Sequence, residues 1–326
     1  MYKIYPPSSG NVRLGEKAVI EEVDQLMLSD DPVWFGRVGG NDANIVVRNL
    51  AGFGFEPSYI AALKQYPGYF DKKNSEENLI KFCEMYIESI SQMDFSFVSV
   101  PHMQDMLAGT LHPYWVALHD FIPTEKCGFT NHYYIVLIRS FLSSFQKWGV
   151  GKKILIVSPF SESIKYQTQP DRIHNLFKSK DMFFPECEFI TYNSPVTYNI
   201  DGVTNPYFDE VTKGVDNWFD MCEKMYNDIS LIDFDVAFLA CGSYGMYLGD
   251  KIKTKLSKKA VYVGGILNVY FNLYGERYDA PTWNEMVNLD YQIETLENDI
   301  FPIEFKNLFT PNEGLRAYFG KKPKNR

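Results

Sequence analysis

The sequence predicts an α/β protein, a mainly parallel sheet flanked by helices, and three observations predict it. Short apolar runs recur along the 326 residues, and each stops at a glycine-rich or hydroxyl-rich turn. Helical spacing resumes after most of these turns. One stretch, Leu231 to Asp279, reads strand, glycine turn, helix, strand, glycine turn, a βαβ unit whose right-handed crossover sets its two strands parallel.

Taken in order, residues 15–28 place Ala18, Val19, Ile20, Val23, Leu26 and Met27 on one helix face, and Ser29-Asp30-Asp31-Pro32 ends that helix. Val33-Trp34-Phe35 is a buried strand running into Gly36-Arg37-Val38-Gly39-Gly40-Asn41-Asp42, and helical spacing resumes from Ala43 to Leu50. Asn41 fits an N-cap, with Asp42 in a first turn that the helix dipole favours. Asn74-Ser75-Glu76-Glu77 starts a helix whose apolar face is Leu79, Phe82, Cys83, Tyr86, Ile87 and Ile90, and 95–100 is a strand. Residues 109–129 give no clean period. A helix over 131–148 is stopped by Gly149 and Gly151.

Lys153 to Val157 is the clearest strand of the first half, followed by Ser158-Pro159-Phe160-Ser161 and a helix that starts near Ser161, breaks at Pro170 and resumes to about Phe177. A strand over 187–192 and one long helix over 208–229 lead to the βαβ unit, in which 235–240 and 260–263 are the strands and 247–256 the helix. Beyond Asp279 come Pro281 to Glu285, an acidic helical stretch and an irregular tail. Five strands ending in small or polar residues point to one parallel sheet with one ligand edge. The expected organisation is a single domain over residues 1–290, its N-terminal part covering 1–150 and its βαβ part 151–290, followed by a helical and irregular tail over 291–326.

A net charge of −9 argues against a nucleic-acid binder, which carries a basic stripe. The basic cluster Lys321, Lys322, Lys324 and Arg326 reads as a solvated terminus, with a membrane-surface role as the alternative. Five scattered cysteines without a CxxC spacing predict free thiols in a reducing compartment. No signal peptide and no transmembrane run is visible, which gives a cytoplasmic expectation.

At the carboxyl ends of parallel strands, backbone N–H groups and helix dipoles face the solvent and glycine allows close approach, so this edge suits a phosphate-bearing ligand. Arg37 can pair two phosphate oxygens through its planar fork, or form an ion pair with Asp42. Ser158 and Ser161 offer hydroxyls at a strand end, and capping alone also explains Ser161. Neither GxGxxG nor GxxxxGK[ST] occurs. Asp233-Phe234-Asp235 has the form of a metal-binding DxD, yet it precedes its strand and so belongs to the opposite edge. The five histidines show no zinc spacing and there is no Gly-x-Ser-x-Gly.

Several stretches together resemble a known family. WFGRVGGNDANIV is similar to the RFGDGE segment of GT-D-fold glycosyltransferases, and KILIVSPFSESIKYQ, DFDVAFLACGSYGMYLGDKIK, KAVYVGGILNVYFNLYGERYD and WNEM resemble the successive motifs of a related bacterial and viral group. The resemblance spans roughly residues 30 to 290. It implies a single Rossmann-like, GT-D-type domain that binds a nucleotide sugar, in the first place a UDP-sugar, through its nucleotide-binding part 151–290, and passes the sugar to a glycan hydroxyl. By position, Arg37, Gly39, Gly40 and Asp42 fall on the RFGDGE segment. Cys241, Gly242, Ser243, Tyr244 and Gly245 fall on a GCGAYG-like turn, Gly264 and Gly265 on a GG pair, and Arg277, Asn284 and Glu285 on the closing motif. Where the family has its first acidic residue this chain has Gly40, and its glutamate is the shorter Asp42. Two readings therefore stay open: Asp42 and diphosphate oxygens hold Mn²⁺ or Mg²⁺, or Arg37 and helix termini neutralise the diphosphate without an ion. Asp42 and Glu285 are the candidate catalytic residues, as proton acceptor or sugar-orienting group. The competing readings are a nucleotide-dependent methyltransferase on the same sheet and a non-catalytic sugar-nucleotide or glycan binder.

Overall fold

The computed structural model describes residues 16–50, 52–99, 127–130, 135–275 and 281–300. Seven strands form its sheet: β1 (Trp34–Arg37), β2 (Phe95–Ser99), β3 (Cys127–Thr130), β4 (Lys153–Ser158), β5 (Glu188–Asn193), β6 (Val236–Leu239) and β7 (Lys259–Tyr262). Their order is β3-β2-β1-β7-β6-β4-β5, and every pairing is parallel. An all-parallel sheet needs cover on both faces, and the strands are written for it. Phe35, Ile154, Ile156, Val236, Phe238 and Val261 enter one apolar layer, whereas Trp34, Leu155, Val157, Ala237, Leu239, Ala260 and Tyr262 enter the other.

The second layer is closed by helices α2 (Gly40–Leu50), α3 (Pro57–Gln65), α4 (Glu76–Ser91), α8 (Trp218–Ser230) and α9 (Tyr244–Leu256). The first is closed by α1 (Glu16–Leu28), α5 (Ile135–Trp148), α6 (Ser161–Gln167), α10 (Leu267–Tyr270) and α11 (Pro281–Met286). The chain thus turns to one face after β1 and β6, into α2 and α9, and to the other after β4 and β7, into α6 and α10. Neighbouring central strands send their connections apart, which opens clefts at their carboxyl ends.

The α/β reading holds, and the structure refines several elements. The long helix expected over 208–229 is two, α7 (Pro206–Val211) and α8. Gly214 takes a positive φ between them, and Asn217 caps α8 by accepting the N–H groups of Phe219 and Asp220. Helix α2 begins at Gly40, so Asn41 lies inside its first turn and is not the N-cap. Helix α9 starts three residues earlier than its spacing suggests. Both α3 and β3 lie where no element was expected. The acidic stretch after α11 forms two short 3-10 turns, 289–291 and 296–299. Ser75 is the N-cap of α4, as its sequence indicates, accepting the Asn78 N–H. No helix among the described residues is long and apolar enough to cross a membrane.

Candidate active site at the carboxyl edge of β1 and β7

At the carboxyl ends of β1 and β7, Arg37, Asp42, Tyr86 and Tyr262 lie close enough to act on one another's charge. Strand β1 ends in Arg37, whose side chain lies across Gly264, the second residue after β7. A Cβ at Gly264 would stand 3.2 Å from Arg37 Cδ and 3.5 Å from Nη1, and its φ of +68° favours glycine in any case. Residues 38–39 then carry the chain into α2, where the Ala43 N–H donates to the Gly39 carbonyl at 3.0 Å as the first helical bond. Asp42, in that first turn, folds back so that its Oδ2 is 3.1 Å from the position of a Gly39 Cβ. The Tyr86 hydroxyl reaches up from α4 to the same Gly39 carbonyl at 3.5 Å.

Electrostatics set the chemistry of this cluster. Asp42 is 3 % exposed. Burial pushes its carboxyl group up to about 7, against the opposing pull of the Arg37 guanidinium and of a hydrogen bond from its own backbone N–H. Desolvation outweighs attraction because the carboxylate has left water, while its cation lies partly exposed at the mouth. Tyr86 is raised well above the usual phenol range by burial first, and then by the fields of Asp42 and Tyr262. The site therefore holds a permanent cation, a carboxyl group that changes charge near neutrality, and a phenol that stays protonated.

Tyr262 ties this cleft to the next turn. It ends β7 opposite Gly36 of β1, and a Cβ on Gly36 would come within 2.6 Å of both its Cβ and its carbonyl oxygen. Its ring would likewise meet a Cβ on Gly245 at 2.6 Å, and its hydroxyl donates to the Gly242 carbonyl at 2.9 Å. Gly36 and Gly245 are thus glycines because a tyrosine packs between two elements. Neither Tyr86 nor Tyr262 stands out in the sequence as a site residue, where one reads as a member of an apolar helix face and the other as a strand residue.

The remaining candidates separate into distinct places. Arg37, Gly39, Gly40, Asp42, Gly264 and Gly265 share the β1/β7 mouth. The turn after β6 lies on the same edge, but the structure corrects the reading of its side chains as ligand donors. Pro67 lies directly on Gly242, and its carbonyl accepts both the Ser243 N–H at 3.0 Å and the Ser243 hydroxyl at 3.1 Å. The Ser243 Oγ also accepts the Trp218 indole N–H at 2.7 Å, and the Tyr244 hydroxyl is bonded to Thr197 Oγ1 at 2.6 Å. The side-chain hydroxyls of Ser243 and Tyr244 are thus spent within the protein, where they hold the loop over the sheet.

Ser158 and Ser161 are corrected in the same way. Ser158 is buried, with its Oγ accepting the Phe160 N–H. Ser161 opens α6 without capping it. The donors there, the N–H groups of Glu162 and Ser163, are taken by the Glu297 carboxylate at 2.9 and 3.0 Å, and the Ser163 hydroxyl donates to its other oxygen. The helix terminus expected to face a ligand anion thus holds an anion of the chain itself. Asn284 and Glu285 lie on α11, where the Asn284 carbonyl accepts the Lys178 ammonium at 2.7 Å and Glu285 is exposed. Arg277 lies outside the described residues. The DxD does sit at the opposite edge: Asp235 accepts the Lys153 N–H and Asp233 pairs with the Lys153 ammonium at the start of β4.

No group of three or more His, Cys, Asp or Glu side chains gathers as a metal site among the described residues. At the mouth itself, Asp42 stands beside a guanidinium. Mg²⁺ and Mn²⁺ want several hard oxygens, so the residues present here do not fit a resident ion, and no step below is routed through one. No protein-family model, curated protein or solved structure matches the chain.

Proposed function

We propose that the chain is a glycosyltransferase that takes a sugar from a nucleotide sugar, a UDP-sugar first, and gives it to a glycan hydroxyl. One observation carries this reading: at a cleft of the sheet's carboxyl edge, Arg37 lies beside a buried carboxyl group whose proton leaves near pH 7. Arg37 pairs oxygens of the donor's diphosphate, a charge-assisted contact of about 1.5–3 kcal/mol. The amino terminus of α2 begins at Gly40 in the same mouth, and its dipole adds to the positive potential.

Above about pH 7 Asp42 is ionised. It accepts the acceptor's hydroxyl proton as the new bond to the sugar's anomeric carbon forms and the bond to the diphosphate oxygen breaks. The electron pair of that bond leaves with the nucleoside diphosphate, whose added charge Arg37 meets. A base tuned near the working pH contributes about 10²–10⁴ in rate. Glu285 is exposed on α11, and Asp42 is the first candidate for this role.

A thermal-shift screen of the intact chain against UDP-sugars and S-adenosylmethionine tests the reading. It predicts stabilisation by UDP-sugars, and sugar transfer or donor hydrolysis that Asp42→Asn lowers at least a hundredfold. Stabilisation by S-adenosylmethionine alone would favour the methyltransferase, and nucleotide binding with no turnover would favour the non-catalytic binder.

A further inference from the structure

We propose that the cleft between α3 and the start of α4 binds a neutral, multiply hydroxylated small molecule the size of one sugar ring. The cleft encloses about 220 Å³, and its lining includes Ile60, Lys64, Tyr69, Asp71, Asn74, Ser75 and Asp201. That is somewhat below the ~300–1,000 Å³ of common ligand pockets and suits a single ring. Along the chain Pro67, which covers Gly242, lies between the cleft's lining residues Lys64 and Tyr69.

The ligand class follows from which polar groups are already used. Lys64 is a buried lysine, and its ammonium donates to Asn74 Oδ1 at 2.9 Å and to both Asp201 oxygens at 2.9 and 3.0 Å. Asp71 accepts from the Lys73 and Ser75 N–H groups and from the Asn78 side-chain amide. Two carboxylates against one ammonium repel a phosphate or a free acid, and the three donors around Asp71 leave it little to offer an amine. Tyr69 is different. It is 1 % exposed, and its hydroxyl has no partner within the protein. A buried hydroxyl left unpaired is a cost that folding alone does not offset; that of Tyr69 is closed to water as the chain stands, and a ligand hydroxyl that displaces the lining enough to reach it offsets that cost. Ile60 and Leu79 supply an apolar wall for the C–H face of a ring. The site stands independently of the reading of the Arg37–Asp42 mouth.

Saturation-transfer NMR and calorimetry on the intact chain test it, with glucose, galactose and mannose as probes and inorganic phosphate and ethylamine as charged controls. At least one hexose is expected to bind with millimolar affinity or better, and neither control. Tyr69→Phe, which removes only the unpaired hydroxyl, is expected to melt no lower than the parent chain while losing hexose affinity fivefold or more. Ile60→Trp, which fills the cleft from α3, is expected to abolish binding. Failure of all three hexoses to bind, binding of phosphate or ethylamine in their place, or undiminished affinity in Tyr69→Phe would overturn the proposal. UDP binding, read on the same samples, is expected to be unchanged by Tyr69→Phe, so failure here leaves the nucleotide site untouched and the converse holds.

Discussion

Asp42 is destabilising in its ionised form, and that gives the residue scale its sharpest consequence. Its carboxyl group moves from an ordinary 3.8 to about 7 on folding. Between these values the folded chain holds a proton that the unfolded chain has lost, so stability falls as pH rises from about 4 to about 7 and then levels off. Asp42→Asn removes the effect. Urea denaturation is expected to show the variant more stable than the parent at pH 8, by up to about 4 kcal/mol, and the difference to vanish near pH 4. A constant difference across that range would mean that the carboxyl group is not desolvated. The same titration reaches ligands, because an ionised Asp42 cancels the field of Arg37 and weakens the hold on a diphosphate above pH 7. Arg37, Asp42 and the glycines between them are legible in the sequence because a cation and a carboxylate flank a strand-to-helix turn. Tyr86 and Tyr262 are not, since a phenol that packs its ring and points its hydroxyl at a backbone carbonyl looks like any other core aromatic.

At the scale of elements, two segments hold the sheet's carboxyl edge closed where it is not used. The Pro67 segment sits on the β6 turn, and Gly242 tolerates it only through a φ of +62° and the absence of a Cβ facing the Pro67 carbonyl. Gly242→Ala should therefore cost about 1–3 kcal/mol, read as a lowered denaturation midpoint. A neutral result would show the segment free to lift. At the other closure Glu297 reaches from the 296–299 turn to cap α6. Glu297→Ala is expected to cost about 0.5–2 kcal/mol, as the loss of a side-chain cap does elsewhere, and to speed amide exchange at Glu162 and Ser163. The sequence marks both glycine and serine turns but not their partners, which lie more than 130 residues away in the chain for Glu297 and more than 170 for Pro67. Spacing is a local signal, and these contacts are not local. Elements fail for a related reason: the break between α7 and α8 is set by Gly214 and the Asn217 cap, inside a run whose apolar spacing continues across it.

For the whole molecule, strand order follows from how the chain divides its helices. It builds β1, β2 and β3 outward, crosses to β4 and β5, and returns through β6 to lay β7 against β1. That return brings Gly264 under Arg37, joining residues that are over 200 positions apart. The parallel sheet was legible from apolar runs ending in glycine. The meeting of its first and last strands was not, because nothing in a strand's own residues names its neighbour. Calorimetry of UDP binding to the intact chain at pH 6 and pH 8, repeated with Arg37→Met, tests this meeting point most directly. The account predicts binding that is severalfold weaker at pH 8 and at least tenfold weaker in the variant at pH 6. Absence of UDP binding to the parent chain, or an affinity indifferent to the loss of the guanidinium, would contradict it.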